Sequence, residues 1–184
     1  MNRLTFLKNL FGASLLPAAT FARPANTDLA TGAQRVRREL LAAWAASEKI
    51  TLVTAGQMPA DGFTFKYTPE AMTYAEQWRH CCDFTVGQIA GRMGVMNPYA
   101  TRKLPKSMTR QEVLDELKTM YGFVRQTIET VPDATLFAED DYLGDKLPNW
   151  RLLYAMENHI IHHRGQCMVY LRLQGVKPEG YLGW

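Results

Sequence analysis

Apolar residues recur along this chain at helical rather than alternating spacing, and they fall into four long segments. The first runs from about Leu29 to Gln57. It carries Val36, Leu40, Trp44 and Ile50, with Arg35, Arg37, Arg38 and Glu39 among them. Met58-Pro59-Ala60-Asp61-Gly62 ends it, because proline removes a donor and Asp-Gly favours a turn. Thr68-Pro69-Glu70 predicts the start of a second helix, with a hydroxyl at the cap, proline at the first helical position and a carboxylate in the first turn. That helix is expected to reach about Met93. A loop with Pro98 and Pro105 follows from Gly94 to Lys106. Thr109-Arg110-Gln111-Glu112 then forms a capping box. It opens the most amphipathic segment, whose predicted buried face is Val113, Leu117, Met120, Tyr121, Val124 and Ile128.

Pro132-Asp133 closes the third helix. The connection from Ala134 to Pro148 is long for a compact domain and holds the acidic run Glu139-Asp140-Asp141. It reads first as a solvated crossover and second as the border of an active site. Asn149 is the predicted cap of the last helix, which continues from Trp150 to about Leu173 and stops at Gly175. Four helices, no alternating strand and no internal repeat predict an all-α four-helix bundle with a long connection between the third and fourth helices. The uneven connections argue against a simple up-down-up-down arrangement.

The chain has 184 residues, which suits one domain. Its 47% hydrophobic and 21% charged residues are a globular composition. A net charge of +3, with Lys and Arg scattered, implies neither nucleic acid nor an anionic membrane surface as partner. The amino terminus reads differently. Arg3 and Lys8 precede the apolar run from Leu10 to Leu16, and small residues follow at Ala18, Ala19 and Ala22. That order predicts a signal peptide over residues 1–22, similar to a twin-arginine export signal whose second arginine has become leucine. The apolar run is too short to span a bilayer. The predicted division is therefore leader 1–22, linker 23–34 and helical domain 35–184, with a periplasmic or exported location. A retained amphipathic helix on a cytoplasmic protein is the alternative. Cys81, Cys82 and Cys167 are odd in number and form no CxxC pair, so they read as buried hydrophobes.

The candidate chemistry lies in Asn158-His159-Ile160-Ile161-His162-His163-Arg164-Gly165-Gln166, which holds three of the four histidines. His159 and His163 are about 40° apart on a helical wheel, on the arc shared by Leu152, Met156, Cys167 and Tyr170. The pair therefore points into the bundle. Two readings follow: two nitrogen ligands for one metal ion, or two core histidines hydrogen-bonded to side chains or water. His162 lies roughly 60° to the other side of His159. It reads as an exposed histidine first and an acid/base group second. The remaining histidine, His80, sits in the second helix. A His80/His159/His163 triad is the economical assignment, and three nitrogens with an open position suit catalytic zinc, while nickel, cobalt or iron also fit.

Glu76 and Asp83 are candidate acceptors for an imidazole N–H. Arg164 and Gln166 are expected to tie helices or subunits together. Trp44, Trp78 and Tyr170 are expected in the core.

His163-Arg164-Gly165-Gln166 with Tyr170-Leu171-Arg172 and Gly175-Val176-Lys177-Pro178 resembles the carboxy-terminal signature of the DinB superfamily, which includes the YfiT-like metalloenzymes. Pro69-Glu70-Ala71-Met72-Thr73-Tyr74-Ala75-Glu76, leading to His80, extends the resemblance. It implies a four-helix bundle with one metal ligand from the second helix, His80, and two from the fourth, His159 and His163. It also implies a homodimer, to which Ile161 and Met168 would give a second apolar side of the last helix. The activities it implies are a metal-dependent hydrolase or a thiol transferase, the ion activating water or a thiol. A non-catalytic metal-binding stress or interaction protein is the alternative. The export-like leader departs from a family associated mainly with cytoplasmic stress responses, and weakens the thiol-transferase reading.

Overall fold

The computed structural model describes residues 25–142 and 144–180. The predicted leader, residues 1–22, lies outside them. Helix α1 spans Ala25–Gly56 and so begins within the stretch read as a linker. Then come a 3-10 turn at Ala60–Thr64, α2 at Tyr74–Met93, α3 at Arg110–Thr130, a short α4 at Asp133–Phe137, strands β1 at Glu139–Tyr142 and β2 at Asp145–Pro148, and α5 at Asn149–Leu173. The main packing partners of both α1 and α2 are α3 and α5, which sets α1 diagonal to α2 across a four-helix bundle. The core between the helices is dense in aromatics: Trp44, Tyr74, Trp78, Tyr121 and Tyr170 are all buried.

The capping box at Thr109 and Glu112 is present, and the predicted inner face of α3 is buried throughout. The start of α2 differs from the expectation. Thr68 and Pro69 belong to a turn closed by Ala71 N–H donating to the Thr68 carbonyl at 3.2 Å. The helix begins after Thr73, whose hydroxyl accepts from Glu76 N–H at 3.2 Å while the Glu76 carboxylate accepts from Thr73 N–H at 2.7 Å. This reciprocal box satisfies two orphan donors, whereas proline at a first helical position satisfies none.

The long connection is largely exposed, in keeping with a solvated crossover, but it carries a regular hairpin that was not expected. β1 and β2 pair antiparallel, with Asp141 opposite Lys146, and Gly144 turns the hairpin at φ 92°, a conformation costly for any residue with a Cβ. Arg92 at the end of α2 pins the hairpin, reaching the Asp140 carboxylate at 3.3 Å and lying over the Tyr142 ring. Asn149 does not cap α5 with its side chain. It is the first helical residue, and its amide donates to the Thr135 carbonyl at 2.9 Å. The other end is as expected: Gly175, at φ 73°, closes α5 with Val176 N–H bonded to the Leu171 carbonyl and Gly175 N–H to that of Arg172. Among the described residues no helix is long and apolar enough to cross a membrane.

Candidate metal centre

Two helices build the site. On α2, Trp78 and Cys81 face the core, which leaves His80 at the edge of the seam with α5, half-buried. On α5, Leu152, Met156, Cys167 and Tyr170 are buried, and the helical repeat carries His163 inward with them and His159 to the seam beside His80. The inward orientation read from the wheel is therefore observed.

The three rings converge through their Nε2 atoms. His159 Nε2 is 3.1 Å from His80 Nε2 and 3.1 Å from His163 Nε2. One ligand atom from each of the three residues lies within 4.8 Å of the others, a group able to hold a metal ion. Nitrogens sharing one ion at about 2.0–2.1 Å stand roughly 3–3.5 Å apart, so the observed spacing fits. Among the described residues no cysteine or carboxylate joins them. Phe84, partly exposed, packs against both His80 and His159, with ring centroids 5.6 and 4.6 Å away.

The electrostatics keep the nitrogens neutral. Burial first, and then the charge a neighbouring imidazole would carry, lower the pKa of His159 and of His163 to about 4. Burial lowers His80 as well, with Arg79 adding to the effect. Neutral imidazoles offer the lone pairs that a cation needs.

The predicted acceptors are not the ones in place. Glu76 is committed to the cap of α2, and Asp83 is exposed. The partner of His163 is Gln77, a residue the sequence reading missed: its Oε1 stands 2.5 Å from His163 Nδ1. Gln77 is almost fully buried, and its amide nitrogen reaches Gln166 Oε1 at 3.1 Å and the Tyr170 hydroxyl at 3.3 Å. Only its position three residues before His80, on the same helix face, could have marked it in the sequence. His159 Nδ1 is buried without a partner.

His162 is exposed and outside the cluster, its Nε2 2.7 Å from the Gln166 amide nitrogen. Gln166 thus ties α5 to α2, and Arg164 ties α5 to α1 by donating to Thr51 Oγ1 at 3.0 Å. Cys81, Cys82 and Cys167 are buried free thiols, each with its pKa pushed up by burial, and none joins the histidines.

Comparison with known proteins bears on the fold that carries these residues. A DinB-like protein from Bacillus subtilis, 20% identical, superposes with a TM-score of 0.59 over 79% of this chain and 96% of its own. A DinB-like protein from Bacillus cereus, 21% identical, gives 0.64 over 77% and 94%. At such identities the likeness is one of fold. A search of curated proteins returned no match. The model of the DinB family matches residues 26–182, from the first helix to beyond the last histidine. The chain belongs to the DinB family.

Proposed function

We propose that this protein holds one divalent metal ion on His80, His159 and His163 and uses it in catalysis on a small molecule. The observation that carries the reading is the convergence of three neutral Nε2 atoms with no fourth protein ligand among the described residues. A closed, purely structural site would add a carboxylate or thiolate. Zinc or nickel suits three imidazoles best, and cobalt or iron is also accommodated. When bound, such an ion supplies Lewis acidity and lowers the pKa of water or a thiol at its remaining position. The protein's own contribution is to hold His163 through Gln77, to keep all three rings uncharged at neutral pH, and to shield one side of the cluster with Phe84.

The reaction class we propose is hydrolysis or thiol transfer. The buried cysteines do not offer a thiolate, so a thiol would come from outside the chain. Metal analysis of untagged protein against His159→Ala tests the site: one equivalent in the wild type and none in the variant is expected, and equal content in both refutes it. Turnover of electrophiles with and without glutathione then separates thiol transfer from hydrolysis. Absence of any turnover by metal-loaded protein favours the non-catalytic alternative.

Two further elements of the reading concern the chain's surroundings. Arg3, Lys8 and the apolar run after them support export, and an intact Met1 on protein recovered from the cytoplasm would refute it. Ile161, Val169 and Leu173 are exposed on α5 and support a homodimer through that helix, which sedimentation of wild type against Val169→Lys tests. A dimer in the wild type and a monomer in the variant is the expected result.

A further inference from the structure

The hydrogen bonds leading to His163 have a direction, and it is set at a backbone carbonyl remote from the ring. The Met72 carbonyl can only accept. The Tyr170 hydroxyl donates to it at 2.6 Å, committing its single proton. Toward Gln77 Nε2, 3.3 Å away, the Tyr170 oxygen therefore acts as acceptor. The same Gln77 nitrogen donates to Gln166 Oε1 at 3.1 Å. With both amide protons directed at these acceptors, the Gln77 carbonyl is turned to His163 Nδ1. A carbonyl cannot donate, so Nδ1 carries the proton and Nε2 keeps its lone pair. Nε2 is the atom that faces His159. The opposite orientation of the Gln77 amide would set its carbonyl against a Tyr170 oxygen that has no proton left to give. Gln166 could reverse with it, but Tyr170 could not, because Met72 offers no donor.

We propose that Met72, Tyr170 and Gln77 form a tautomer lock for His163, with Gln77 and Tyr170 as positioning residues for the metal site. The inference rests on the reading of His163 as a ligand and adds what prepares it for that role. The lock joins the turn before α2 to the far part of α5, the two helices that supply the cluster. Metal affinity is thereby coupled to correct docking of residues 72–74.

The test is the ring tautomer of His163 in metal-free protein, read from long-range proton–nitrogen correlation spectra at pH 7.5, beside Zn2+ affinity. The wild type is expected to show the Nδ1–H form. Tyr170→Phe keeps the ring and removes the anchor. It is expected to give a mixture of tautomers and about tenfold weaker Zn2+ binding. Gln77→Glu, which presents only acceptor oxygens to His163, is expected to retain the Nδ1–H form. An Nε2–H form in the wild type overturns the lock, as does a folded Tyr170→Phe with unchanged tautomer and affinity. If Tyr170→Phe does not fold, the wild-type spectrum decides. Wild-type protein with the Nδ1–H form but no Zn2+ binding would refute the metal reading and leave the lock standing.

Discussion

Helix α5 carries polar clusters on two nearly opposite faces, and they are built on different principles. Facing α2, His159 and His163 meet His80, with nitrogens turned toward one another and a half-exposed rim. Facing α1 and α3, Arg164 meets Ser47, Thr51 and Tyr121, where the Tyr121 hydroxyl is 2.8 Å from Thr51 Oγ1 and 3.1 Å from Ser47 Oγ. Glu157, buried on this side, has its carboxyl pKa raised by burial and drawn back down by Ser47 and Arg164. The second cluster is satisfied by its own members and reads as a helix tie. The first turns three Nε2 atoms toward one another, a group able to hold a cation.

The difference can be broken from either side. The largest effect is expected from metal itself: Zn2+ at about a thousand times its dissociation constant stabilises the fold by about 4 kcal/mol. Thermal unfolding with and without chelator measures it, and His163→Ala should abolish the shift. Tyr121→Phe should act on the other face alone. It removes one of the two partners that Ser47 and Thr51 share, leaving Arg164, at a cost of about 0.5–1.5 kcal/mol in urea unfolding, with bound metal unchanged. A loss of metal in that variant would mean that the two faces are one site.

Acid should separate the faces by sign. His159 and His163 have folded pKa values of about 4, below the ordinary 6.5, so the unfolded chain binds protons first as pH falls. Their contribution is fully present above about 6.5 and is lost as pH drops toward 4. Glu157 works the other way: its folded pKa is raised, so acid relieves the cost of its buried charge. Urea unfolding of metal-free protein at pH 7, 5.5 and 4.5 should show falling stability, flattened in a His159→Gln/His163→Gln variant. A decline undiminished in that variant would locate the acid sensitivity elsewhere. A similarly small effect is expected from Thr73→Ala, which removes the cap of the helix bearing Gln77 and His80 and costs about 1 kcal/mol.

Local signals were the legible ones. Thr109 and Glu112 are three residues apart and need nothing distant to form their box, so α3 could be read directly. The same applies to His159 and His163, whose shared face follows from helical geometry alone. Thr73 and Glu76 offered an equal signal, but Thr68-Pro69-Glu70 stood ahead of it as a competing start. Only the tertiary course of the chain, with Tyr74 N–H bonded to the Phe65 carbonyl at 2.9 Å, separates the two. The β1–β2 hairpin was hidden because Glu139, Asp140 and Asp141 carry no apolar alternation; Arg92 on a distant helix end holds them. Gln77 was hidden for a related reason. A neutral amide has no spacing of its own to advertise, and its role exists only once Tyr170 and Gln166 are beside it.

The central claim is that one ion sits among three imidazoles. An anomalous difference map collected at the absorption edge of zinc, from crystals grown with Zn2+, tests it most directly. The account predicts a single strong peak about 2.0–2.1 Å from the Nε2 atoms of His80, His159 and His163. A peak that leaves out His80, or none at the cluster, would contradict it.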